Sequence, residues 1–341
     1  ISIPKFLKHR FFCLFVLGLT SLCPANENPT ARQNIEWFKN AKYGVFVHYL
    51  NDIQNNPDEL HSFGKQTSWD ECVHDFNVQI FADNMSQAGA GYVIFTMHQR
   101  TRFLIAPNET FDKKTGYSPG QACSTRDLVN DLYEALSKHN IPLLLYWTGD
   151  GPRQDEQAAI GLEYDYKDGK HTPVNMKFIK NWAEVVSEYG QRYGTKIVGW
   201  WVDGCYQSIG YDENKLAILA GGLKSGNPNR IIALNNGVQE KVSIYSKYED
   251  FTCGETGEFK DVPEASLDSG KQWHLLSYLG TWWGQPGTRY KKKYLSDFIQ
   301  KVNSGNGVVS IDVMLYRDGS IDQTQLRLLK SLRPALAELE K

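Results

Sequence analysis

KIVGWWVDGCYQ, residues 196–207, sets the terms of the fold. Ile197 to Val202 form an apolar run that ends abruptly at Asp203 and Gly204. A continuous apolar run of this length, bounded by a turn signal, reads as a strand buried on both faces, the signature of a parallel sheet. The carboxylate at its end has two readings. Asp203 before Gly204 is a turn residue that stops the strand, or it is a group that the strand delivers to a reaction centre.

The same unit recurs outward from this stretch. Apolar runs at 43–50, 92–98, 141–150, 230–236, 248–255, 273–280 and 308–315 read as further strands. Amphipathic stretches at 77–90, 125–140, 175–194, 212–228, 292–307 and 321–340 read as helices, the second capped by Thr125. Eight strands alternating with helices over roughly 300 residues match a closed (β/α)₈ barrel, an α/β fold of TIM type. The barrel is predicted over residues 33–341, as a single domain without a C-terminal β-sandwich and irregular around strands five and six. A doubly wound open sheet is the alternative. No glycine-rich phosphate fingerprint follows the first strand, which argues against nucleotide binding.

The chain has 341 residues, of which 41% are hydrophobic and 22% charged, an ordinary globular composition. A formal net charge of -2 gives no electrostatic basis for nucleic-acid binding. Nine Trp and eighteen Tyr are available to stack on sugar rings, but by themselves they fit a core equally well. The first residues have the form of a leader. Lys5, Lys8, His9 and Arg10 precede the apolar run FFCLFVLGLTSLCPA at 11–25. That run is short for a membrane span and ends in small residues. Residues 1–25 are therefore predicted to be a signal peptide, with the protein secreted or periplasmic and free of the membrane once cleaved. Cys72, Cys123, Cys205 and Cys253 remain outside the leader, without zinc-site spacing. An oxidising destination permits disulfides, and buried free thiols are equally consistent with the sequence.

In a barrel of this type the site lies at the C-terminal ends of the strands. The polar residues there are His48, His98, Gln99, Arg100, Asp150, Asp203, Asn235, Asn236, Asp250 and Glu255, with His274 and Trp283 on strand seven or its loop. This strand-end set holds no Ser in a G-x-S-x-G elbow and no H-E-x-x-H zinc helix. Two carboxylates walled by aromatics suit acetal hydrolysis, one attacking the anomeric carbon and the other protonating the leaving oxygen. No cofactor or metal is called for. Taken singly, His48 and His98 read as core histidines, and Glu255 as a solvated loop residue.

At these strand ends the chain resembles the α-L-fucosidases of glycoside hydrolase family 29, as a divergent member. The likeness runs from about Trp37 to the C-terminus through KYGVFVHYL (42–50), YVIFTMHQRTRF (92–103), WWVDG (200–204), EDFTCGE (249–255), WWGQ (282–285) and SGNGVVSIDVMLYRDGSI (304–321). The sharpest of these is the strand-four Trp-x-Asp-Gly. The resemblance implies that Asp203 is the nucleophile and Glu255 the acid/base. It also implies that His48, His98, Gln99, Trp201 and Trp283 form the substrate subsite. The expected activity is that of an exported retaining exo-glycosidase acting on a terminal fucose-like sugar of an oligosaccharide or glycoconjugate. Gln99 replaces the second His of the family's His-His-Asp-Gly signature, Arg100-Thr101 replaces its Asp-Gly, and Tyr49-Leu50 replaces Trp-Gly. Those departures leave a second reading open, a non-catalytic carbohydrate-binding barrel. The leader itself is checked by N-terminal sequencing of exported protein, which should begin near Asn26; an intact residue 1 would count against cleavage.

Overall fold

In the computed structural model, which describes residues 29–239, 241–262 and 271–337, one curled sheet organises the described residues. Its seven strands are β1 (Tyr43–Val47), β2 (Val93–Thr96), β3 (Leu143–Thr148), β4 (Ile197–Asp203), β5 (Ile231–Leu234), β6 (His274–Tyr278) and β7 (Val308–Val313). They pair in the order β5-β4-β3-β2-β1-β7-β6, and every pairing is parallel. The open side between β5 and β6 is spanned by residues 250–256. Asp250 N donates to Ile232 O at 2.8 Å on one flank, and Leu276 N donates to Gly254 O at 2.8 Å on the other. The fold is thus the (β/α)₈ type expected, with its sixth strand reduced to bridges at Phe251–Gln272 and Glu255–Leu276. The leader assigned to residues 1–25 lies outside the described residues.

Asp250, predicted at the site, serves this irregular closure instead, together with its neighbour Glu249. Because 249–250 does not hold a regular register against β5, side-chain oxygens replace backbone acceptors. Asp250 Oδ2 accepts from Ile232 N at 3.0 Å, and Glu249 Oε1 from Leu234 N at 3.0 Å. Asp250 also pairs with Lys224 at 2.8 Å. Satisfying the edge N–H groups in this way avoids the cost of unpaired backbone. Asp250 is a structural residue.

The strands' alternation sorts side chains into two cores. Val45, Val47, Val93, Phe95, Leu143, Leu145, Ile311 and Val313 face outward to the helices. Phe46, Ile94, Leu144, Tyr146, Trp201, Ile231, Ala233, Cys253 and Leu276 fill the lumen. The helix Pro29–Asn40 closes its lower end: the Phe38 ring lies 4.8 Å from both Tyr92 and Phe251. Gly44 makes that packing possible, since a Cβ there would stand 2.3 Å from the Tyr92 ring. His274 begins β6, so it sits deep in the lumen rather than at the mouth. Its Nε2 meets Ser310 Oγ at 2.8 Å, and burial lowers its pKa to about 4.

The helices follow the predicted spans closely: Val78–Ala88, Leu128–Ser137, Met176–Tyr193, Glu213–Leu223, Lys292–Ser304 and Gln323–Ala337. The second is capped by Asp127, which accepts from Asn130 N at 3.0 Å. Thr125, the expected cap, instead binds Asp70 through its N and Oγ1. The four cysteines Cys72, Cys123, Cys205 and Cys253 are free and buried.

Arg230 fastens this layer. It is fully buried, yet among the described residues its guanidinium donates only to carbonyls: Ile197, Leu223, Ser225, Gly190 and Gly194. Most of these belong to the C-terminal ends of Met176–Tyr193 and Glu213–Leu223, where helix carbonyls lack partners and carry partial negative charge. Arg230→Met leaves those carbonyls unpaired, and the urea midpoint should fall by the equivalent of about 3 kcal/mol or more. An unchanged midpoint would mean that the guanidinium is not what ties the two helix ends to β4.

Candidate active site

The strand ends surround a cavity of about 380 Å³. Its wall includes His48 after β1, Gln99 and Arg100 after β2, Thr148 and Asp150 at the end of β3, Asp203 at the end of β4, and Trp282 and Trp283 after β6. That volume is of the size that takes a small ligand.

Asp203 is the most heavily hydrogen-bonded group there. Its Oδ1 accepts from Gly204 N at 2.8 Å, Tyr206 OH at 3.1 Å and Asn235 Nδ2 at 3.0 Å. Its Oδ2 accepts from Tyr146 OH at 2.9 Å. Four donors converging on one carboxyl suit its anionic form. Gly204 turns the chain at φ 68°, the left-handed region that favours glycine. A Cβ there would fall 2.7 Å from Asp150 Oδ1. The Asx turn and the placement of the carboxyl at the cavity are therefore one feature: the bond from Gly204 N to Asp203 Oδ1 is part of what aims the carboxyl.

Glu255 reaches the same point from the closing segment. Asn235 Nδ2, on β5's end, donates to Glu255 Oε2 at 2.6 Å as well as to Asp203. The amide orientation is fixed from its other side, because Asn235 Oδ1 accepts from Gly237 N at 2.9 Å and from Cys253 Sγ at 3.2 Å. The two carboxyl oxygens are thus closer together than the sum of the two amide contacts. Burial first, and then the negative charge of Asp203, raise the Glu255 pKa to about 7; the Asn235 bond and His48 act in the opposite direction.

His48 is held by Asp312 of β7, with Nδ1 and Oδ1 2.9 Å apart. Asp312 Oδ2 accepts from Gly284 N at 2.6 Å. One carboxylate therefore sets both His48 and the loop carrying Trp282 and Trp283. Gln99 faces the cavity and donates from Nε2 to Tyr146 OH at 2.8 Å, which turns the tyrosine's own proton toward Asp203.

Two of the predicted residues stand elsewhere. His98 is fully buried, bonded to Thr148 Oγ1 at 3.1 Å and to Thr101 O, and packed on Trp147 and Trp182. It is a core histidine whose pKa burial lowers to about 4. The reason is local: β2 ends at Thr96 and the chain turns at Arg100, with φ 60°, so strand alternation no longer aims His98. Trp201 lies beneath the cavity rather than on its wall. It stacks on Tyr146 at 5.5 Å and donates to Cys253 O at 2.9 Å, supporting the floor. Glu255, by contrast, is half-buried beside Asp203 and Asn235.

Several wall residues carry no sequence motif. Arg153 and His171 converge on Asp150 Oδ2 at 2.7 and 3.2 Å, and His61 joins Gly284 O at 2.8 Å. Tyr206 lies three residues after Asp203 and Tyr146 on the inward parity of β3; parity was the available signal for the latter. Among the described residues no cluster of three or more His, Cys, Asp or Glu is placed to hold a metal ion.

A sequence profile of the family described as Alpha-L-fucosidase matches residues 20–334. The chain belongs to the α-L-fucosidase family. No curated protein matches it. Solved structures match its fold at low identity. An endo-fucoidan hydrolase of glycoside hydrolase family 107 superposes with TM-score 0.69 and 13% identity, over 92% of this chain and 55% of the other. The chain thus spans about half the length of that hydrolase. The α-L-fucosidase isoenzyme 1 from Paenibacillus thiaminolyticus matches at TM-score 0.62 and 20% identity, covering 90% of this chain and 76% of its own. The α-L-fucosidase AlfC, in complex with Fuca(1,6)GlcNAc, matches at TM-score 0.62 and 16% identity, over 90% and 99% of the two chains.

The role of Asn235 in this member of the family is checked without reference to turnover. Asn235→Ala removes the bond that holds the Glu255 pKa down, so carbon-13 NMR of labelled glutamate should show Glu255 titrating higher than in the parent. A shift downward, or none, would mean that the amide does not govern this carboxyl.

Proposed function

We propose that this chain is a retaining glycosidase that removes a terminal fucose-like sugar from an oligosaccharide or glycoconjugate, with Asp203 as nucleophile and Glu255 as acid/base. The observation that carries the reading is the Asn235 amide held between the two carboxyls. It keeps their nearest oxygens under the about 6.5–9.5 Å that an inverting pair needs for an intervening water, and within reach of the about 5–5.5 Å of a retaining pair. The environments of the two also differ in the required sense, one ringed by donors and the other buried beside a like charge.

The steps follow from those positions. Oδ2 of Asp203 has a single donor, Tyr146, whereas Oδ1 has three, so Oδ2 is the oxygen with a lone pair to give. It attacks the anomeric carbon as the glycosidic C–O bond breaks. The Glu255 proton passes to the departing oxygen, leaving a glycosyl ester on Asp203 and a Glu255 carboxylate. That carboxylate then takes a proton from water. The water oxygen displaces Asp203 from the anomeric carbon, and both residues return to their starting states with configuration retained. His48 and Gln99 are placed to meet sugar hydroxyls and Trp283 to face a ring. Export and an exo mode of attack are part of the same proposal; the first rests on residues 1–25.

With its pKa raised to about 7, Glu255 holds its proton below neutrality and loses it above. The kcat/KM for an unactivated glycoside should therefore fall as pH rises through about 7. Glu255→Gln should lower that rate by about 10²–10⁴-fold while sparing a nitrophenyl glycoside, whose leaving group needs no proton. Asp203→Ala should abolish turnover of both with thermal unfolding little changed. Full activity in Asp203→Ala would refute the scheme. Wild-type protein that binds sugars but cleaves none across a broad glycoside panel would identify a binding barrel instead.

A further inference from the structure

Trp282 stands out among the cavity's wall residues because it is 62% exposed. A large indole left in water at the rim of a site, rather than folded into a core, marks a surface kept for contact. Its position is not left to a loose loop. The next residues are pinned by Asp312 to Gly284 N at 2.6 Å and by His61 to Gly284 O at 2.8 Å. The Tyr278 ring lies 5.5 Å from Trp282 and 4.8 Å from Trp283, and the Arg289 guanidinium covers Tyr278 at 3.9 Å. The indole is held on a packed aromatic base with its outer surface free.

Its direction from the reacting groups is set by topology. Glu255 bridges in parallel to Leu276 of β6, and Trp282 lies on the loop that leaves β6. Gln99, Thr148 and Asp150 hold the opposite part of the mouth, on β2 and β3, while His48 stands on the near side with its ring 6.1 Å from Trp283. A leaving oxygen that takes its proton from Glu255 therefore departs toward β6, and whatever it carries passes Trp282. We propose that Trp282 is the stacking platform for the leaving-group sugar: it receives the apolar face of a second pyranose ring, so the preferred substrate is a glycan of at least two sugar units. This rests on the reading of Glu255 as the acid. An indole and the C–H face of a pyranose are complementary apolar surfaces, and an edge left open to water lets the sugar's hydroxyls stay hydrated.

The test is calorimetric binding in the Asp203→Ala background, comparing an α-L-fucosyl disaccharide with methyl α-L-fucoside. With Trp282 present the disaccharide should bind the more tightly. Trp282→Ala should weaken the disaccharide about tenfold, the worth of one aromatic contact, and leave the methyl glycoside within twofold; Trp282→Phe should restore most of the loss. Equal weakening of both ligands, no weakening of the disaccharide, or a disaccharide that binds no better than the methyl glycoside overturns the proposal. Turnover by Asp203→Ala is a separate measurement, and its survival would remove the two-carboxylate mechanism while leaving the binding comparison to decide on Trp282.

Discussion

A parallel sheet that curls must close, and here the closure is made by a segment that is not a regular strand. Residues 250–256 hydrogen-bond to β5 on one flank and to β6 on the other. Everything at the mouth depends on that. The segment's irregular path lets Glu255 rise beside Asn235, while β4 delivers Asp203 from two strands away. A regular sixth strand would have used backbone to pair with β5 where the carboxylates of Glu249 and Asp250 now do so.

The site's charges are arranged in matched sets rather than as a single field. Asp203 is surrounded by neutral donors, so its negative charge is stabilised by hydrogen bonds without being cancelled by a cation in contact. Glu255 receives only the Asn235 amide among the hydrogen bonds of the described residues, and it pays for burial with a raised pKa. Asp150 forms its own cluster with Arg153 and His171, and Asp312 is committed to His48 and Gly284. Of these four carboxylates, Asp150 and Asp312 are thus occupied in shaping the wall, and Asp203 and Glu255 are coupled through one amide.

The departures from the family's first- and second-strand motifs also acquire a physical meaning. Gln99 stands where a histidine is usual, and its amide nitrogen is spent on Tyr146 OH. That bond biases the tyrosine to donate to Asp203, so the substitution reaches Asp203 through one intervening side chain. Tyr49, in place of the usual Trp, turns outward, donating to Cys72 O at 2.8 Å within the helix layer. Arg100 remains at the rim with its guanidinium 3.8 Å from Asp52.

The amino-acid sequence by itself determined the eight-unit alternation, the helix spans and the strand-four carboxylate. Continuous apolar runs and amphipathic periods are local signals, and Asp203-Gly204 is a local turn whose geometry needs no distant partner. His48, Gln99 and Trp283 were legible as residues just beyond strand ends. Only the tertiary structure decided which of these faces the cavity. His98 was misplaced because alternation lapses once β2 ends at Thr96, and Trp201 because parity tells lumen from helix layer but not depth within the lumen. His274 was misplaced because it opens the run read as 273–280 and so lies at the start of β6, away from the C-terminal end that faces the mouth. The pairing of Asp203 with Glu255, 52 positions apart, depends on Asn235, which neither motif contains. Likewise Asp312 holds His48 across 264 residues. Contacts of that span are made by the closing of the barrel, and no local pattern in the chain encodes them.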